Sequence, residues 1–286
     1  MRCTPLSLAA SVLTVLVFAS VPLSARAGDK FEHLATVRAE RTLEKTVQSL
    51  ELKTRTGNIE IVRAKGKKLE ITADVRVDRG EAENLTNADA FDQHVAISSK
   101  EGVLTITDAH MGALDRKAWH VAMKIALPRP LDIEALTGAG DLCITFAGGD
   151  VALRTGAGSV TVKCEATRSL SVTAGAGDVE LVLGAAAGPI SANSGAGNLT
   201  LQLDQPGASK AVSLHSGAGD VALKLQPEAC GRFELSAGVG SIATTGCEGI
   251  KIRKHGVGTT AAGAIGKGGP VYEVSTGVGS IRLSRK

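Results

Sequence analysis

The residues of this chain that could do chemistry fall in columns, so their spacing has to be judged first. Asp178, Asn198 and Asp220 each stand three positions after the opening glycine of a Gly-Ala-Gly step. Oxygen-bearing side chains in line are what a calcium ladder uses. In the Gly-Gly-x-Gly-x-Asp nonapeptide ladder, however, the period is about half this one and the acid lies two residues from the glycine. Here the acid is adjacent to the glycine, and Ser159, Ser241 and Ser280 interrupt the column. Short polar side chains in such places cap turns by bonding nearby backbone. The column therefore reads as turn formation, with Asp178, Asn198 and Asp220 as weak metal candidates only. Repeated Gly-x-Gly could also cradle phosphate, but that requires glycines between a strand and a helix. In this chain strand follows strand at every copy. His215 is alone on a Ser/Thr face, His110 and His120 lack metal-ligand spacing, and no Gly-x-Ser-x-Gly nucleophile turn occurs. No catalytic residue, resident metal or cofactor is expected.

The elements that carry these columns are repeats. Copies of the phrase open at Gly138, Gly156, Gly175, Gly195, Gly217, Gly238, Gly256 and Gly277, about 18–22 residues apart. A fixed period of this kind signals stacking of one unit on the next. With the opening glycine as zero, positions +4 and +6 carry Leu142 and Ile144, Val160 and Val162, Val179 and Leu181, Leu199 and Leu201, Val221 and Leu223. The same columns then hold Thr260 and Ala262, and last Ile281 and Leu283. Positions −5 and −3 alternate likewise, as Leu170/Val172, Ile190/Ala192, Val212/Leu214, Phe233/Leu235 and Tyr272/Val274. Alternation with period two is a half-buried strand. Each unit thus supplies two strands joined at a tight corner. The corner glycines are Gly138, Gly140, Gly156, Gly158, Gly175, Gly177, Gly195, Gly197, Gly217, Gly219, Gly238, Gly240, Gly277 and Gly279. The residue between each pair, Ala or Val, is expected to tuck inward. The fold predicted is all-β: a single-stranded parallel β-helix, right-handed as parallel crossovers overwhelmingly are.

Three regions follow. Residues 1–27 read as a signal peptide: Arg2, an apolar run over Leu6–Leu23, and Ala25-Arg26-Ala27 as the cleavage site. Residues 28–130 are an irregular β region that caps the stack, with Leu50–Leu52 and Ile59–Ile61 as an early coil. Asp78–Gln93 reads as one short helix, with Ala82, Leu85, Ala88 and Phe91 at helical spacing. Residues 131–286 are the regular repeats. Removing the signal takes the formal charge from +3 to +1, which gives no basic balance for nucleic acid. Only 2% of residues are aromatic, so Val, Leu, Ile and Ala must build the core. From Glu248 onward Lys251, Arg253, Lys254, Lys267, Arg282, Arg285 and Lys286 outnumber Glu248 and Glu273, an excess suited to anionic lipid or acidic glycan.

An exported chain can oxidise its thiols. Cys164 falls in the inward column of Leu183, Leu203 and Leu225, while Cys143 points outward. Cys230-Gly-Arg-Phe233-Glu-Leu235 superimposes on Cys247-Glu-Gly-Ile250-Lys-Ile252. If those segments occupy neighbouring coils, their Cα atoms lie ~5 Å apart, within disulfide range. A Cys230–Cys247 disulfide is therefore predicted.

The segments Val121–Pro128 and Leu131–Gly138, with the serial [TSA]-G-[AV]-G-[DNS]-[VLI]-x-[LIV] copies, resemble the bacterial "putative adhesin" β-strand-repeat family, domain of unknown function 4097. They are also similar to the head domain of autotransporter adhesins. The likeness covers Leu43–Leu283 and brings no catalytic residues with it. It implies a non-enzymatic interaction or structural module of the cell envelope, periplasmic or at the surface. Its partner would be an envelope protein, a surface glycan or a second copy, with no nucleic acid and no transmembrane anchor after cleavage. The alternative is a polysaccharide-active enzyme, since many β-helices place carboxylates on one outer face. A cleft lined by two carboxylates would favour the enzyme, and a flat face the module.

Overall fold

A computed structural model of the chain describes residues 14–15, 31–78, 94–109, 119–205 and 211–285. Most of the segment read as a short helix, residues 79–93, lies outside them. So does nearly all of the signal segment, whose described residues Thr14–Val15 pair antiparallel with Ala39 and Glu40. The described chain is all-β, in two large mixed sheets of twelve strands that share one hydrophobic core.

Between Asp132 and Leu225 consecutive units stack in sequence order, and every ladder is parallel. In one sheet Leu142–Ile144, Val160–Thr167, Val179–Ala186, Leu199–Gln205 and Val221–Leu225 follow one another. In the other, Asp132–Ala139, Asp150–Ala157, Ser169–Ala176, Ile190–Ala196 and Ala211–Ala218 do so. The predicted columns hold their register: Leu181 pairs with Leu201 and Leu201 with Leu223, all three fully buried. Cys164 lies in line with Leu183, Leu203 and Leu225, also buried.

At both ends the spatial order departs from the sequence order. The early coil, Ser49–Thr56 and Ile59–Arg63, stacks directly on Asp132–Ala139 and Leu142–Ile144. Val103–Asp108 and Trp119–Leu127 form the next rung beyond it. Antiparallel pairings finish this end in both sheets, Leu69–Asp78 returning on Trp119–Leu127 in one of them. Val95–Lys100 folds back on Val103–Asp108 through Glu101 and Gly102, both at positive φ (52° and 81°). Phe31–Arg41 pairs with Leu69–Asp78 in the other sheet. Antiparallel returns of this kind stop parallel growth of an open edge.

The far end corrects the serial reading. The last unit, Val271–Val278 with Ile281–Arg285, does not follow the unit at Gly238 but is inserted before it. Val274 pairs with Leu214 on one side and Leu235 on the other. Phe233 and Tyr272 become stacked neighbours there, with ring centroids 4.4 Å apart and planes 5° from parallel. The copy at Gly256 is no coil either. Ile250–His255 and Gly258–Ile265 form an antiparallel hairpin, and Gly258–Ile265 runs antiparallel to Gly231–Val239. Gly256 turns the chain at φ 60°. Its inward residues are consequently Thr259, Ala261 and Ile265, while Thr260 and Ala262 face out, the reverse of the expected columns.

This interleaving overturns the Cys230–Cys247 disulfide; all four described cysteines are free. Phe233 and Ile250 do share a row, but both pair with Gly263 on the strand between them. Two strand spacings, ~9.5 Å, exceed the ~4.4–6.8 Å reach of a disulfide.

Leu201→Ala removes a side chain packed between two other leucines in its column and should lower stability by ~2–5 kcal/mol. Urea unfolding of the variant against wild type measures this.

Candidate functional site

The repeated corner is where the chain's polar chemistry is concentrated. There the second glycine of each pair has φ between 136° and 150° in Gly140, Gly158, Gly177, Gly197, Gly219, Gly240 and Gly279. Only glycine adopts that backbone without strain. The corner backbones also approach closely: a Cβ on Gly197 would sit 2.2 Å from the carbonyl oxygen of Gly177. On Gly195, at the first position, it would sit 2.4 Å from the oxygen of Gly175. Each second-glycine N–H donates to the next rung, as Gly177 N–H does to the Ala196 carbonyl at 2.8 Å. These N–H groups are therefore engaged within the stack and are not turned toward a phosphate.

Two side-chain ladders satisfy what the bend leaves over. At +3 each Asp or Asn side chain accepts the N–H of its counterpart one rung on, not of its own turn. Asn58 Oδ1 accepts from Asp141 N–H (2.8 Å), Asp178 Oδ1 from Asn198 N–H (2.7 Å) and Asn198 Oδ1 from Asp220 N–H (3.0 Å). Asp220 Oδ1 accepts from Ser280 N–H at 2.8 Å and its Oδ2 from Arg282 at 2.9 Å. The Ser280 N–H and then the Arg282 guanidinium hold the Asp220 carboxyl below the usual carboxylate range. Among the described residues no three His, Cys, Asp or Glu side chains group as a metal site would need.

The second ladder is a column of buried hydroxyls just before the first glycine, joined by Thr259 of the hairpin strand opposite Ala237. Thr137, Thr155, Ser194, Ser216, Thr276 and Thr259 donate to the carbonyls of Gly57, Gly140, Gly177, Gly197, Gly219 and Gly240, at 2.8–3.1 Å. Ala174 and Ala237 interrupt it. The sequence carried this signal in the [TSA] position of the repeat. The middle residues of the corner, by contrast, are exposed and do not tuck inward.

The outward face beyond the corner is a grid set by register. One row reads Ala152, Ser171, Ser191, Ser213, Glu273, Glu234, and the next Arg154, Thr173, Asn193, His215, Ser275, Ser236. His215 Nδ1 lies 2.7 Å from Ser275 Oγ, on open surface. Glu273 and Glu234 stand on adjacent strands and line a shallow depression of about 390 Å³ with Ser213, Ser236 and Thr260. Sequence order hid both pairings, because the last unit is inserted before the unit at Gly238. At the opposite corner Arg168 bridges Asp132 (2.9 Å) and Asp150 (2.7 Å), and this guanidinium depresses the Asp150 carboxyl. Burial lowers the pKa of His120 and pushes the Cys164 thiol up to about 11, so that thiol stays protonated and packs as a small hydrophobe. His110 lies outside the described residues.

Three measurements test the corner. Ser216→Ala leaves a buried carbonyl unpaired and should cost ~1–2 kcal/mol, whereas Ala174→Ser should be neutral or stabilising. Asp220→Asn keeps the acceptor for Ser280 N–H and should lie within ~0.5 kcal/mol of wild type, with or without calcium; a calcium-dependent rise in Tm that this change abolishes would restore the metal reading. Because folding lowers the Asp150 and Asp220 pKa values, their contribution is present above ~pH 4 and lost as pH falls through the folded values. Acid unfolding should therefore begin at higher pH in Arg168→Ala, which removes the partner of Asp150.

A family model described as Toastrack DUF4097 matches residues 15–248. No curated protein matches the chain. Similar solved structures include a "putative adhesin" from Bacteroides fragilis, 11% identical, covering 87% of this chain and 96% of that one at a TM-score of 0.42. A "putative lipid binding protein" from Parabacteroides distasonis is 10% identical, with 86% and 96% covered and a TM-score of 0.40. A "putative cell adhesion protein" from Clostridium sporogenes is 15% identical, with 87% and 99% covered and a TM-score of 0.33.

Proposed function

Since the chain belongs to the Toastrack DUF4097 family, we propose that it is an exported, non-enzymatic interaction module of the cell envelope, adhesin-like or envelope-structural. Its coil is a right-handed parallel β-helix, the hand that parallel crossovers favour. The observation that carries the reading is the registered grid of Ser171, Thr173, Ser191, Asn193, Ser213 and His215. Short polar side chains at strand spacing, on rungs fixed by backbone hydrogen bonds, make a flat and rigid surface. Such a surface loses little side-chain entropy on contact and offers a hydroxyl or amide every ~4.8 Å. An envelope protein, a surface glycan or another copy of the chain are partners of matching chemistry. Export is supported by the basic start, apolar run and Ala-Arg-Ala site of residues 1–27. No helix among the described residues is long and apolar enough to cross a membrane.

One observation favours the enzyme reading: the neighbouring carboxylates Glu234 and Glu273 in their open depression. Glu234 is ion-paired with Arg232 at 2.9 Å, and nothing deep surrounds the pair to hold a sugar ring.

A photo-crosslinking residue at Asn193 in the chain expressed in its own envelope should give a discrete adduct, and one at Thr200 on the other sheet should not. The purified chain should begin at Gly28 by mass. Release of sugar from envelope polysaccharide, abolished by Glu234→Gln, would decide for the enzyme instead.

A further inference from the structure

The corner ridge changes character at one end of the stack. Along five rungs its outward residue is alanine: Ala139, Ala157, Ala176, Ala196 and Ala218. It then becomes Val278, Val239 and Val257, which are 57%, 49% and 75% exposed. These three copies are scattered in the sequence but contiguous in space. Gly279 N–H donates to the Val239 carbonyl (2.9 Å), and Gly240 N–H to that of Val257 (3.1 Å). The acidic column beside the ridge ends at the same place. Asp141, Asp178 and Asp220 give way to Ser280 and Ser241, and the last acid, Asp220, is ion-paired with Arg282. Exposed cations replace it, for Arg253 and Lys254 lie on the hairpin strand that turns at Val257.

Three exposed branched side chains on a rigid turn, beside Arg253 and Lys254 and beyond the last acid of the adjoining column, have the character of a surface that enters an anionic bilayer interface. A second copy fits poorly, since two such ends brought together would oppose like charges. An acidic polysaccharide would use the cations but leave the valines in water. We propose that this end of the stack docks on the headgroup region of an anionic lipid leaflet, with Val257 deepest and Arg253 and Lys254 on lipid phosphates. The proposal concerns an end of the stack, not the Ser/Thr/Asn face, and stands independently of what that face binds.

The test uses the chain from Gly28 onward carrying Val257→Trp, mixed with phosphatidylglycerol vesicles whose acyl chains are brominated. Wild type supplies the Trp119 background, and Ala157→Trp reports the far part of the ridge. Docking predicts at least twofold quenching of the tryptophan introduced at position 257 and little at position 157. The quenching should vanish on phosphatidylcholine vesicles, in about 0.5 M salt, and with Arg253→Glu plus Lys254→Glu. Vesicle binding without quenching at position 257 would show that another surface holds the chain, and would overturn the proposal. Equal quenching at both positions, or an acidic polymer shielding position 257 where vesicles do not, would overturn it as well.

Discussion

Everything in this molecule depends on two backbones passing within hydrogen-bonding distance at a bend. A parallel ladder sets rungs ~4.8 Å apart, and the corner turns each rung without breaking that spacing. The carbonyl of one second glycine then lies where the next glycine's Cβ would be, 2.1–2.2 Å away at Gly158, Gly177, Gly197 and Gly219. Positive φ and lack of space select the same residue. Because the bend leaves an N–H at +3 and a carbonyl at the second glycine outside the backbone ladder, a short polar acceptor and a buried hydroxyl appear beside it. Three columns of the repeat thus follow from one close approach.

The same approach frees the outward positions to vary. Apart from the stacked Phe233 and Tyr272, inward residues are held to aliphatic size by the thin core, where Leu, Val and Ile columns are buried. Outward residues meet only their neighbours on adjacent rungs, so a serine-rich row, a carboxylate pair and a valine ridge can occupy different rungs of one scaffold. Function in such a stack is written in which rung neighbours which.

That neighbour relation is what the order of rungs controls. A purely serial coil would end in an open parallel edge. Here the chain leaves one rung free after Leu225, builds the unit at Gly238 and an antiparallel hairpin, and returns to fill the gap with Val271–Arg285. The open position is closed by the chain's own last strands; one sheet then ends in an antiparallel, basic strand, and the other ends in Ile242–Thr245, parallel to its neighbour. The stacked Phe233 and Tyr272 rings lie at this seam, where two strands distant in sequence must fit against each other.

The sequence by itself determined the corner, the strand pair in the units other than that at Gly256 and the direction their core side chains take. Those are local consequences of glycine spacing and period-two alternation: Leu181, Leu201 and Leu223 could be placed in one buried column before any coordinates. It also showed that Cys230 and Cys247 belong to matching positions of their units. Only the tertiary structure decided which units touch. Identical repeat phrases carry the same hydrogen-bonding edge, so nothing local distinguishes the unit at Gly277 from that at Gly238 as the partner of Gly217. Cys230 and Cys247 are in line but separated by Gly258–Ile265, Glu234 meets Glu273, and three valines gather at one end. The choice rests on long-range fit: the aromatic seam and the antiparallel closure of one sheet, neither of which a period of about twenty residues encodes.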